Sequence, residues 1–238
     1  MQSEVDGVLV AAHELKGPLA LIRQLAFSLE YADSKEERQK IEAQMIDVSS
    51  RALKQVNDLT RISRIENGLF DIEPVAIRSV CDEVTMELRD LFRANHKNLK
   101  IAYRNRSRLV VGNRDLLHSV VYNFCINALH YSDDETASFL TVYDRHENVR
   151  LEVRDFGPAL PMDVWRALKK GWIEQPTSIA MRPGSSGLGL YIASKFSKAM
   201  NAPVGAVRHR DGTSFYIELP ASKQVSLFLW FTLLTTII

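Results

Sequence analysis

The sequence predicts an α+β chain: a helical hairpin that forms a dimeric four-helix bundle, followed by an α/β sandwich domain. Three observations carry this. Apolar residues from Val8 to Leu29 step by four and three without a break. A second stripe of the same kind follows a short polar turn. Beyond Pro74 the pattern changes to helical stripes alternating with period-two strands and hairpin signals.

Val8, Ala12, Leu15, Leu19, Ile22, Ala26 and Leu29 make the first stripe, a heptad seam of the kind that packs in bundles. Asp33 and Ser34 stand where orphan N–H groups of a second helix need acceptors, and Glu36 and Glu37 suit its positive end. Ile41, Met45, Val48, Ala52, Val56, Leu59 and Ile62 continue the pattern up to a stop at Asn67–Gly68. One hairpin has too little core for such a seam, so pairing with a second copy is expected. Domain limits follow: 1–70 for the hairpin, 74–220 for the second domain, and 221–238 for an apolar tail. In the second domain helices are expected over 78–95, 114–131, 162–170 and 188–200. Strands are expected over 99–104, 108–113, 138–144 and 149–155, with a last pair around Asp211–Gly212. Residues 174–186 read as a loop. Helices on one face of a mixed sheet account for this order.

The chain has 238 residues, 46% apolar and 25% charged, a soluble balance with enough length for a sizeable core. A net charge of +1 gives no bulk electrostatic case for nucleic acid, and none is expected as a partner. Cys81 and Cys125 lie in helix-like stretches outside any CxxC pair, as buried free thiols of a reducing compartment would. The N-terminal stretch lacks the basic and apolar regions of a secretory signal. Residues 225–238 carry no charge, yet are shorter than the ~20 residues a spanning helix needs. His96, His118, His146 and His209 show no metal-ligand spacing.

Four motifs carry chemistry. His13 falls just off the seam beside Glu14, whose carboxylate suits one ring nitrogen and leaves the other as a nucleophile. Pro18 removes a backbone hydrogen bond at position 14 and is expected to kink the helix there. Asn123, Asn127, His130 and Tyr131 share one helical face; amide oxygens suit a hard cation such as Mg²⁺ bound together with phosphate. Asp155 ends a strand and Gly157 lets the chain turn close to a ligand, so the carboxylate can accept from an exocyclic amine such as adenine's. Gly184 to Gly189 opens into a helix, where backbone N–H groups suit a polyphosphate.

In their order, these motifs resemble the catalytic core of the sensor histidine kinases of two-component systems, over residues from about 5 to 220. His13, Glu14, Leu15 and Lys16 with Pro18 look like the family's H box, and Asn123 to Ser132 like its N box. Asp155, Phe156 and Gly157 look like the first glycine box, and Gly187, Leu188, Gly189 and Leu190 like the second. The resemblance implies a homodimeric phosphotransfer hairpin and a Bergerat-type ATP-binding domain. It implies that ATP phosphorylates His13, with Glu14 as general base, and that a response-regulator receiver aspartate takes the phosphoryl group. Asn123 and Asn127 would hold Mg²⁺ and phosphates, Asp155 would read the adenine amine, Tyr131 would pack near the base, and Gly187 and Gly189, with Leu188 between them in the nucleotide site, would let the lid approach the phosphates. The implied setting is the cytoplasm, either for the core itself or for the cytoplasmic part of a membrane-associated sensor. Membrane contact would come from the tail or from an input region outside this sequence.

This sequence also departs from the family pattern. His130 stands where lysine is frequent, Ala159 replaces a glycine, and "VWRALKKGW" with Trp165 stands in place of the F box. These departures motivate an alternative, a degenerate kinase acting as a dimeric scaffold. Arg166, Lys169, Lys170 and Arg182 are the candidate lid cations. Gly17 replaces the Thr or Asn that serves regulator dephosphorylation, so weak phosphatase activity is expected.

Overall fold

A computed structural model describes residues 2–66, 68, 70–104, 109–133, 135–160, 162, 165, 166 and 188–223, with side chains described from Leu15 onward except at position 66. The chain divides into two compact units, Met1–Leu69 and Phe70–Ile238.

The first unit is a hairpin of α1 (Gln2–Glu30) and α2 (Lys35–Glu66). The Ser34 hydroxyl accepts from the Glu37 N–H at 3.1 Å, and the Glu37 carboxylate reaches back to the Asp33 N–H at 3.2 Å. This reciprocal cap fixes where α2 starts. Helix α1 continues through Pro18. The seam of α1 splits. Leu15, Ile22 and Leu29 are half-buried, joined by Pro18 and Leu25, whereas Leu19 and Ala26 stay exposed. On α2, Ile41, Val48, Ala52 and Ile62 are buried, while Ile46 and Leu53 are 68% and 63% exposed. A period of 3.5 residues does not say how many partners a helix has. Here the described part of the α1 stripe is only partly covered, at Leu15, Ile22 and Leu29.

The second unit is built on a five-stranded mixed sheet. Its strands are β2 (Asn98–Arg104), β4 (Ala137–Arg145), β5 (Asn148–Arg154), β6 (Val204–His209) and β7 (Gly212–Pro220). Their order is β2-β4-β5-β7-β6. β2 runs parallel to β4, and the other neighbours are antiparallel. Short strands β1 (Glu73–Val75) and β3 (Val110–Gly112) pair separately. Pro74, expected to mark a boundary only, lies inside β1 because an edge strand tolerates a residue without an N–H.

Helices α3 (Ile77–Ala94), α4 (Arg114–Tyr131) and α5 (Leu188–Ala199) complete the unit, with α4 packed against both others. Ile77, Val80, Cys81, Val84, Leu88 and Phe92 recur at helical spacing on α3, and each is at most 1% exposed. Leu140, Val142, Leu151, Val153, Phe215, Ile217 and Leu219 supply the sheet's share of the core. Both cysteines are free and buried. Burial, with a lesser effect of Cys125 on Cys81, pushes both thiols up, so they stay protonated. Among the described residues no helix is long and apolar enough to cross a membrane.

Candidate functional site

Helix α4 places the two asparagines. It starts at Asn113, whose Oδ1 accepts from the Leu116 N–H at 3.0 Å while its Nδ2 donates to Asp71 O at 2.9 Å. Asn123 donates through Nδ2 to Ser119 O at 2.9 Å, which orients its Oδ1 toward the start of α5. A Cβ on Gly189 would stand 2.9 Å from that oxygen, so glycine lets α5 close on α4 here. Asn127, one turn on, differs. Its Nδ2 is buried without a hydrogen-bond partner among the described residues. Native interiors rarely leave a buried amide unpaired, which singles out Asn127 among the described polar groups. His130 is exposed and Tyr131 half-buried at the end of the same helix.

Strand β5 delivers Asp155, which is 2% exposed. Its N–H donates to Thr213 O, and its Oδ1 accepts from the Thr213 N–H, both at 2.9 Å. The carboxylate is thereby locked to the first turn of β7. Gly212 makes the lock feasible. Its φ is +139°, and a Cβ there would stand 2.9 Å from Asp155 Oδ1 and closer still to Asp155 O. Gly157 is buried against the end of α4: a Cβ would stand 2.8 Å from the Tyr131 carbonyl carbon and collide with its oxygen. The Asp133 N–H donates to Phe156 O at 2.9 Å, closing the same seam. Arg154 lies 4.6 Å over the Phe156 ring and pairs with Asp211 at 2.7 Å, holding the neighbouring hairpin.

The second unit thus holds two sets of contacts on α4: Asn123 against Gly189 along the helix, and Gly157 with the loop after Asp155 against its C-terminal end. Leu188 is fully buried at the start of α5. His13 and Glu14 lie in α1, but their side chains are outside the described residues, as are Gly187, Lys169, Lys170, Arg182, most of the helix expected at 162–170, the loop 174–186 and the tail 225–238. Trp165 is half-buried, Arg166 is exposed, and Ala159 is half-buried. Sequence reasoning missed Thr213 as the partner of Asp155, 58 residues away, and Lys97, whose Nζ caps α4. Neither has a local signal; only the "DGT" run at 211–213 marks a turn beside the first.

Residues 112–223 match the family model described as histidine kinase-, DNA gyrase B- and HSP90-like ATPase, and residues 8–68 match the His Kinase A (phospho-acceptor) domain. The chain belongs to the histidine kinases. This histidine kinase core is 21% identical over 93% of its length to "Hybrid signal transduction histidine kinase K" of Dictyostelium discoideum, of which it spans 20%. The chain spans only 20%, 19% and 45% of the length of three curated relatives it matches. Its fold is that of full-length ShkA solved in complex with AMPPNP, at a TM-score of 0.60 and 21% identity, over 92% of this chain and 46% of that one. It is equally that of the kinase ThkA solved with the response regulator TrrA, at a TM-score of 0.60 and 17% identity, over 90% and 61%.

Proposed function

We propose that this chain is an ATP-dependent protein-histidine kinase that phosphorylates its own His13 and passes the phosphoryl group to an aspartate of a response-regulator receiver domain. One observation carries the reading. A phospho-acceptor match that contains His13 is followed by a nucleotide unit in which the amide of Asn127, buried and without a partner among the described residues, lies on the same helix as Asn123. An amide pair beside a glycine-lined helix start fits Mg²⁺ and a triphosphate.

In this reading Asn123 and Asn127 hold the metal and phosphate oxygens. When bound, Mg²⁺ neutralises charge on the phosphates. Asp155 accepts from the adenine amine, with Tyr131 beside the base. Backbone groups of Gly187, Leu188 and Gly189 approach the phosphates, and His130 adds a contact to them. Glu14 takes the proton from one ring nitrogen of His13. The other nitrogen attacks the γ-phosphorus, the bond to the β-γ bridging oxygen breaks, and ADP leaves. Positioning and charge neutralisation supply most of such a rate. ThkA was solved with a response regulator, which supports a receiver domain as the acceptor.

The hairpin acts as a homodimer in this reading. Leu19, Phe27, Ile46 and Leu53 are between 59% and 68% exposed, an apolar surface a second copy would cover. Leu53→Glu is expected to convert the dimer to a monomer in sedimentation velocity; an unchanged mass would show that this face is not the interface.

The deciding experiment is incubation with γ-labelled ATP and Mg²⁺, wild type beside His13→Ala. Acid-labile, alkali-stable label is expected on the wild type alone. Label of equal amount on His13→Ala would remove His13 as acceptor.

A further inference from the structure

We propose that Lys97 is a positioning residue for the nucleotide base: it fixes the carbonyl end of α4 and, through that end, the Asp155–Gly157 segment. The proposal rests on the reading of Asp155 as the group that accepts from the adenine amine.

The backbone delivers Lys97 inward. Helix α3 ends with the His96 N–H on Arg93 O at 3.0 Å and the Lys97 N–H on Phe92 O at 2.9 Å. His96 adopts φ 53°, the left-handed conformation that glycine usually fills at such a stop. The chain accepts that strain, and the next side chain turns into the interior, where Lys97 is 9% exposed. Its Nζ donates to Leu129 O at 2.9 Å and to Ser132 O at 2.5 Å. These carbonyls belong to the negative end of α4, so the ammonium meets both orphan acceptors and the helix dipole.

The contacts that follow lead in one direction. Ser132 Oγ and Ser138 Oγ are 2.9 Å apart, tying the cap to β4. The Tyr131 carbonyl abuts Gly157, and the Asp133 N–H holds Phe156 O. Residues 129–133, which Lys97 clamps, are therefore the ones that seat the loop after Asp155. Asn123 is held separately, by Ser119 and against Gly189. Loss of the clamp should loosen the base end of the site and spare the phosphate end.

The test compares ATP with inosine triphosphate, which carries the same phosphates but lacks the exocyclic amine. Affinities for both in Mg²⁺ are measured on the full chain for wild type, Asp155→Asn, Lys97→Met and Lys97→Arg. Wild type should prefer ATP, and Asp155→Asn should lose the preference. Lys97→Met should narrow it by about tenfold, through weaker ATP binding at nearly constant inosine triphosphate binding, and Lys97→Arg should restore part of it. An equal loss for both nucleotides in Lys97→Met would reduce Lys97 to a merely structural role and overturn the proposal. So would an unchanged ratio there alongside a lost preference in Asp155→Asn. Preference surviving in Asp155→Asn would instead remove the reading of Asp155, and the proposal with it. Should Lys97→Met fail to fold, Ser138→Ala loosens the same turn more mildly. A narrowed ratio in it supports the clamp, and an unchanged one overturns it.

Discussion

Asn127→Leu should cut autophosphorylation about a hundredfold and leave the second unit no less stable. The two halves of this result have one cause. The amide nitrogen of Asn127 is buried and has no hydrogen-bond partner among the described residues, which have stripped it of water without a replacement. Such a group is a standing penalty of about 1–3 kcal/mol. Leucine has a similar shape and carries no such penalty, so a thermal melt should stay level or rise. With nucleotide bound, the amide would meet a charged partner, and hydrogen bonds to charged groups contribute about 1.5–3 kcal/mol. Losing one slows the reaction by up to about a hundredfold. Phosphorylation within threefold of wild type would place Asn127 off the triphosphate. A melt several degrees lower would show that the amide already has a partner in the fold.

The second large effect concerns Gly157→Ala. The three nearest atoms that a Cβ would meet all belong to backbone: the carbonyl oxygen and carbon of Tyr131, and Ser132 Cα at 3.3 Å. Side chains can swing aside, but a helix end clamped by Lys97 cannot. The loop must retreat, breaking the Asp133–Phe156 hydrogen bond and moving Asp155 off its register with Thr213. Overpacking of this kind costs about 3 kcal/mol. Urea unfolding should report that loss, and nucleotide binding should fall with it. Gly17→Ala is the internal control. A Cβ there meets nothing within 4 Å on an exposed helix face, so the same change should be neutral or stabilise by up to about 1 kcal/mol. Equal damage from both would mean that close approach is not what glycine provides at 157.

Much of the architecture was legible because its signals are local. The six-residue stripe of α3, the turn between Arg145 and Asn148 and the Ser34 cap each depend on residues within a few positions of one another. The fold class and the family followed from stripes and motifs of that kind. What escaped the sequence depends on distance along the chain. β1 exists because it pairs with β3, nearly 40 residues later, and nothing around Pro74 predicts that. The α1 stripe showed its period but not that Leu15 and Leu19 face different surroundings. Lys97 reaches carbonyls 32 and 35 residues away, so it looked like any surface lysine ahead of a strand. The four motifs named the residues of the candidate site. The contacts that hold them came from the fold.

The pairing of Asp155 with Thr213 also bears on how the protein comes into being. The two residues are 58 positions apart, and β5 finds its second neighbour only in β7, the last strand of the sheet. A chain still emerging from the ribosome carries the asparagine helix and the acidic strand end long before it carries the partner that locks them. Contacts of such long sequence separation form late in folding. The seat of Asp155 is therefore completed late: a chain interrupted before residue 213 holds Asp155 at an open sheet edge.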